Sequence, residues 1–353
     1  MAKIAEVWRR FSKSKLFTPL LILALIFLYN LIFTENFFVI EVRDGHLYGN
    51  LIDILKRSAP IMLIATGLTL VIATSGIDIS VGSVVAISCA VTAFLIGGDL
   101  VIVNGAVVSS SRVPMAVALL CGVSAGALAG VWNGTLVSRV GMQPIIATLI
   151  LQVAGRGIAQ MITRGQIITV YNDFFSSISN GYSLYLPNPI FIVAFVFLAT
   201  LLLVRKTALG LFIESVGSNR TASRFTGIKA RNIIFWCYVF TGLCAGIAGI
   251  LVCSNVRCAD GNNAGLLMEL DAILAVVIGG TSMSGGKFYL WGSLIGAIII
   301  QALTTSIYAL GVPPEITQVV KAVVIFIICI IQSDTFRNSI ASVVGGRRRL
   351  TTE

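Results

Sequence analysis

Charge is what this sequence has least of. Only 11% of its 353 residues are Asp, Glu, Lys or Arg, against roughly 25% in soluble domains. That deficit excludes a soluble globular fold. His46 is the single histidine, which excludes a His-based metal centre and a Ser/His/Asp triad. Apart from Glu269 and Asp271 at the outer start of one apolar run, no two carboxylates share a run, so catalysis by paired acids has no candidate deep within one. Cys89, Cys121, Cys237, Cys244 and Cys329 sit inside apolar runs and read as small hydrophobes. Cys253 and Cys258 flank a loop and would pair only if it faced an oxidising compartment. Their spacing alone is no zinc signal. No basic patch alternates with aromatics, so the net charge of +10 does not point to nucleic acid. GTSMSGGKF (280–288) resembles a phosphate loop only faintly. Position 281 is Thr281 and Phe288 follows Lys287, so the G-x-x-x-x-G-K-[ST] pattern fails at both ends and ATP hydrolysis belongs elsewhere.

What the chain has is apolar length. It is 57% hydrophobic with 34 glycines. Lipid leaves only helices and closed barrels as spanning structures, and these runs are continuous rather than alternating. The expected fold is an all-α polytopic membrane protein. Its spans are 16–33, 59–74, 81–97, 113–137, 145–162, 190–204, 232–252, 266–279, 289–310 and 317–332, about ten helices. Two, 59–74 and 266–279, are short and run into Gly/Ser-rich breaks, and Ile52–Ser58 forms a separate amphipathic helix before the first. Placing the N-terminus inside puts 17 Lys/Arg on cytoplasmic segments and six outside, which supports both termini inside. The organisation is then a basic N-terminal segment 1–15, a transmembrane domain 16–336 with a cytoplasmic loop 205–231, and a basic tail 337–353.

Four features carry candidate function. Gly122, Gly126, Gly130 and Gly134 recur every four residues, and Gly242, Gly246 and Gly249 recur similarly. This weak internal pseudo-repeat means close helix packing within one subunit or a subunit interface. The two breaks, Ala73–Ser83 and Val276–Lys287, carry Gly76, Asp78 and Ser80, and Gly279, Gly280, Gly285 and Gly286. They mark a transport path or are tight turns, and Asp78 or Ser80 is placed to cap the next helix. Thr148, Gln152, Arg156 and Gln160 follow at i+4 on one helix face. That stripe suits a neutral, hydroxyl-rich solute, unless Arg156 pairs with a buried carbonyl or carboxylate and locks the bundle. Gln318 and Lys321 raise the same question in the last span, where Lys321 also has room to snorkel. Asn262, Asn263, Glu269 and Asp271 line an outer mouth or form a solvated loop with Asp271 as a cap.

The fourth feature is the loop itself. Asn219 is placed to cap a short helix, Arg220–Thr226, closed by Gly227. Ala222 and Phe225 share one side with Ile228 nearby, and Arg220 and Arg224 share another. An apolar knob with two cations suits a groove in a soluble partner or, alternatively, a bed of anionic headgroups. Glu214, the one acid in this basic stretch, is counted with these residues as part of the partner-contacting set.

SGIDISVGS, ESVGSNRTASRFTGI and ELDAILAVVIGGTSMSGGKF together resemble the permease subunits of ribose/xylose/arabinose-type sugar ABC importers, over roughly residues 50–335. VAGRGIAQMITRGQIITV, NNAGLLMELDAILAVVIGG and GVPPEITQVVKAVV bring the likeness closest to the galactofuranose-type permease. The resemblance implies a bacterial inner-membrane subunit with no enzymatic activity or cofactor of its own. It implies as partners a double ATPase, a periplasmic sugar-binding protein and a second permease, related or identical. It also implies that Asn219–Ile228 is the loop that contacts the ATPase. An ion-gradient-driven transporter or channel is the alternative. It would call for a titratable carboxylate near mid-membrane, where the sequence offers only the terminal Asp78 and Asp271.

Overall fold

The computed structural model describes residues 16–43, 45–97, 100–103, 106–109 and 112–332. The basic segments 1–15 and 337–353 therefore lie outside the described residues. Helices α1 (Phe17–Phe33), α2 (Asn50–Ala73), α3 (Val81–Ile96), α4 (Met115–Thr135), α5 (Pro144–Thr163), α6 (Asp173–Asn180) and α7 (Asn188–Lys206) form the first part. The second holds α8 (Leu209–Ser218), α9 (Arg220–Phe225), α10 (Ala230–Val256), α11 (Met268–Ile278), α12 (Leu290–Ala309) and α13 (Pro314–Gln332). A helix occupies each stretch expected to be apolar and helical. Six of them are long and apolar enough to cross a membrane, and shorter apolar helices accompany them. The chain is thus a mostly helical, polytopic membrane protein. Among the described residues, strands are confined to short antiparallel pairs in the connections, such as β1 (Glu41–Arg43) with β2 (His46–Tyr48), and Ile168–Thr169 with Cys258–Ala259.

Burial sorts the long helices into two kinds. The apolar stretch of α2 is 78% buried, and those of α10 and α12 are 61% buried. Those of α4, α5 and α7 are only 28% buried. The first three form the centre, and the others wrap it and present apolar residues such as Leu120, Leu149, Val153 and Phe195 outward. In lipid that exposure carries no hydrophobic penalty.

The glycine stripes of α4 and α10 face each other. A Cβ on Gly126 would stand 2.5 Å from the Gly242 carbonyl and 2.7 Å from the Gly246 Cα, so only glycine permits this backbone contact. Of the two readings of the stripes, packing within one subunit is the one observed.

Two expectations need correction. The first span is not short: α2 runs 24 residues from Asn50 to Ala73 through Pro60, and absorbs the separate helix expected at Ile52–Ser58. One missing proline N–H does not end a helix enclosed by its neighbours. Of the two spans expected to be short, only α11, at 11 residues, is so. The caps also differ. No side chain caps α3 at Ser80, α11 begins after Leu267 without a side-chain cap, and Asp271 instead pairs with Lys321 of α13 at 2.6 Å. Lys321 therefore does not snorkel freely, because a partner of opposite charge lies within reach. Cys253 and Cys258 are both free thiols, Cys253 being fully buried.

Candidate functional site

Between α2 and α3 the chain loses its helix while still enclosed by protein. Such backbone must find partners outside the helical ladder, and side chains supply them. The Gly76 N–H returns to the Val71 carbonyl at 3.0 Å. The Ile77 carbonyl accepts from the Tyr238 hydroxyl at 3.4 Å. The Ile79 N–H donates to Thr148 Oγ1 at 3.2 Å. The Ser80 N–H donates to Asp78 Oδ1 at 3.0 Å, and the Ser80 hydroxyl to the same oxygen at 2.6 Å. Asn133 Nδ2 adds a contact to that oxygen at 3.3 Å and one to Ser80 Oγ at 2.7 Å. Asp78 is 2% exposed, so it is an anchor for the unwound segment, not a helix cap.

The α5 stripe continues this polar line. Gln152 Oε1 accepts the Ser83 N–H at 3.3 Å, serving one of the orphan donors at the start of α3. Its Nε2 donates to Glu269 Oε1 at 3.1 Å. One turn on, Arg156 Nη1 donates to the carbonyls of Ala264 and Gly261. Gln160 Nε2 reaches Asn262 Oδ1 at 2.7 Å. All four expected stripe residues thus join one seam between α5, the break 74–80 and the loop 260–269. Arg156 holds two part-buried carbonyls, the kind of contact the locking alternative describes.

Two other expected path residues make no contact with the α5 stripe. Asn263, in the same loop, donates to Asp260 Oδ2 at 2.7 Å, and Gln318 is exposed on α13. Burial pushes the Asp260 carboxyl up, but hydrogen bonds from Asn263 and Asn262, with Arg156 behind them, hold it below the usual carboxylate range.

The sequence does not mark out two members, Asn133 and Tyr238, and places a third, Glu269, only at an outer mouth or in a solvated loop. Glu269 reads as a loop acid, yet it is 6% exposed and closes against Gly82. Asn133 and Tyr238 look like incidental polar residues in apolar runs. A lone amide between Gly130 and Gly134 was the available signal, since helix contact at the glycines had to bury it. Asp78 and Glu269 are therefore both enclosed carboxylates, where only terminal acids were expected. Asp78 is held by three donors and Glu269 by Gln152. Glu269 Oε2, Arg156 Nη2 and Asn133 Oδ1 remain buried without a hydrogen bond.

At the opposite end of the break lies the basic loop. Asn219 caps α9 by accepting the Ala222 N–H at 3.0 Å, and Gly227 closes it with φ of 85°. Phe225 is 88% exposed. Ala222 and Arg224 are exposed beside it, and Ile228 is half-buried. Of the two cations expected on one side of α9, Arg220 is engaged within the chain, since its Nη2 donates to the Thr74 carbonyl at 3.1 Å. Residues preceding α9 are pinned as well. Ser75 Oγ donates to the carbonyls of Gly217 and Ser284, each at 2.9 Å. The Gly286 N–H donates to the Ala73 carbonyl at 2.9 Å. A Cβ on Gly217 would stand 2.6 Å from the Gly286 N and closer still to the Ala73 carbonyl. The second break turns on Gly280, Gly285 and Gly286, with φ of 90°, 86° and 91°, while Gly279 packs on Gly292. Both breaks thus converge on the segment leading into α9. Glu214 lies elsewhere, in a cavity beside α7.

A multi-pass helical protein with an enclosed helix break tied to an exposed cationic helix is built as a membrane permease. The sequence profile of the family described as branched-chain amino acid transport system / permease component matches residues 50–329, and the chain belongs to that family. It is 48% identical to the galactofuranose transporter permease protein YtfT of Escherichia coli K12, over 95% of this chain and 94% of that one. It is 40% identical to the fructose import permease protein FruF of Bifidobacterium longum, over 87% and 84% of the two chains. It is 37% identical to the ribose import permease protein RbsC of Escherichia coli K12, over 92% and 96%. No solved structure matches the chain significantly.

Proposed function

We propose that the chain is the membrane-spanning permease subunit of a bacterial ABC importer for a monosaccharide, of which galactofuranose is the first candidate. Full-length likeness to permeases named for galactofuranose, fructose and ribose carries this reading. Its setting is the inner membrane, crossed about ten times, with both termini, the loop 205–231 and the second break on the cytoplasmic side. The excess of Lys/Arg on those segments supports that orientation. The partners are a double-domain ATPase, a periplasmic sugar-binding protein and a second permease subunit.

Coupling enters through α9. Phe225 and Arg224, with Ala222 and Ile228, form the knob that seats in the ATPase, and Asn219 and Gly227 fix the helix ends. A push on α9 reaches the first break through Arg220 and the Thr74 carbonyl, and the second through Gly217 and Gly286. The unwound segment then moves against Thr148, Gln152 and Arg156. Separation of α5 from the loop 260–269 would free Gln152, Arg156, Gln160 and Glu269, with Asn262 and Asn263 at the outer mouth. Their donors and acceptors match sugar hydroxyls, which both give and accept hydrogen bonds.

Two experiments test this. Phe225→Asp should abolish co-purification of the ATPase; an intact complex removes α9 from the interface. Sugar uptake in cells should survive collapse of the proton gradient and stop on ATP depletion, and the reverse pattern would establish the ion-driven alternative.

A further inference from the structure

The end of α7 is flanked by two cavities that the permease reading does not use. One, of about 390 Å³, lies between α7, α8 and the start of α12, and Arg205, Glu214, Leu211, Tyr289 and Trp291 line it. The other, of about 340 Å³, lies across Val204 on the far side of α7, with walls that include Leu203, Leu209, Trp236 and Phe240. Helix α8 straddles both, sending Leu211 toward the first and Leu209 toward the second. Among the described residues, neither Arg205 nor Glu214 has an ion-pair partner. The first cavity is therefore lined by one cation, one anion, aromatic side chains and apolar residues. Tyr and Trp are enriched at membrane–water boundaries, and Trp291 also packs edge-on against Phe197 at 4.7 Å.

We propose that these cavities hold one zwitterionic phospholipid with a primary ammonium headgroup. Arg205 takes its phosphate, as charge-assisted bonds to guanidinium favour, and Glu214 takes its ammonium. The acyl chains run along the two sides of α7. Charge complementarity selects this occupant. A purely anionic lipid would leave its negative charge beside Glu214, and a trimethylammonium headgroup has no N–H to donate. The bound headgroup sets the tilt of α8, whose last turn holds α9 through the Ser215–Ser223 hydroxyl contact at 2.8 Å. The lipid thus tunes how firmly the coupling helix is presented. This rests on the assignment of that end to the cytoplasmic membrane surface.

The test is native mass spectrometry of the complete importer, purified from vesicles of phosphatidylethanolamine, phosphatidylcholine and phosphatidylglycerol in equal parts. The wild type should retain phosphatidylethanolamine selectively. Glu214→Gln and Arg205→Gln should each lower that retention roughly fivefold, the upper range for an exposed ion pair, while Lys206→Gln leaves it unchanged. A photo-reactive amino acid in place of Leu211 should label lipid. Equal retention by the wild type and both variants overturns the site, as does labelling at position 211 of the N-terminal segment or of a second permease. Because retention is read without transport, an importer that works normally after losing selectivity for this lipid still counts against the proposed tuning while leaving the permease reading intact.

Discussion

The two helix breaks look alike in sequence and differ in kind. The segment 74–80 is enclosed, and its backbone is satisfied by Thr148, Tyr238 and Asp78 from outside the helical ladder. The segment 279–289 turns back on itself through left-handed glycines and leaves Ser282, Met283, Ser284 and Lys287 exposed. Composition does not separate them, because Gly and Ser serve both. What separates them is the surroundings. Enclosed irregular backbone requires a dedicated set of side chains, whereas a surface turn has water. Any displacement of the first break must therefore rearrange specific hydrogen bonds, whereas the exposed turn of the second has water to replace its own.

Substitutions at and between the breaks test that difference, and their effects should fall in order. Gly217→Val, at the point where both breaks meet, should be the most damaging. It forces backbone apart, costs about 3 kcal/mol or more, and should abolish uptake and lower the yield of folded protein by size-exclusion chromatography. Near-normal yield with full uptake would mean that the breaks move independently. Asp78→Leu strips the acceptor from Ser80 and Asn133 and should cost about 2 kcal/mol, read as a fall in thermal midpoint in detergent. Gln152→Leu leaves the Ser83 N–H and Glu269 without their partner, costing about 1–2 kcal/mol, and should lower the maximal rate of transport. Unchanged kinetics would remove the seam from the path. Ser75→Ala loses one hydroxyl shared by two carbonyls, about 1 kcal/mol, and should weaken the response of transport to the ATPase more than it weakens folding. Ser284→Ala, on the exposed turn, keeps the carbonyl that Ser75 uses and should change stability by less than about 0.5 kcal/mol. An effect as large as that of Asp78→Leu would erase the distinction between the breaks.

Much of this was legible before any coordinates. Apolar runs placed the helices within a few residues, since lipid admits few alternatives. The i+4 spacing of Thr148, Gln152, Arg156 and Gln160 announced a shared face, and Asn219 and Gly227 announced the bounds of α9. The misreadings have one source. In sequence Glu269 reads as an acid of an outer loop or mouth, Arg220 as one of two cations on a side of α9, and Asp271 as a cap or mouth residue. Each choice depended on which distant segment lay opposite, namely Gln152 and Gly82, the Thr74 carbonyl, and Lys321. Spacing along one helix cannot supply that information.

The sequence by itself determined a multi-pass helical membrane protein and, through its motifs, a permease. Apolar length, scarce charge and glycine spacing act locally and need no partner to be read. Only the tertiary structure decided that the stripe is a zipped seam, that the glycine ladders of α4 and α10 pack on each other, and that both breaks converge on the segment leading into α9. Those are relations between residues far apart in the chain, fixed by which backbones approach closely enough for hydrogen bonds to form.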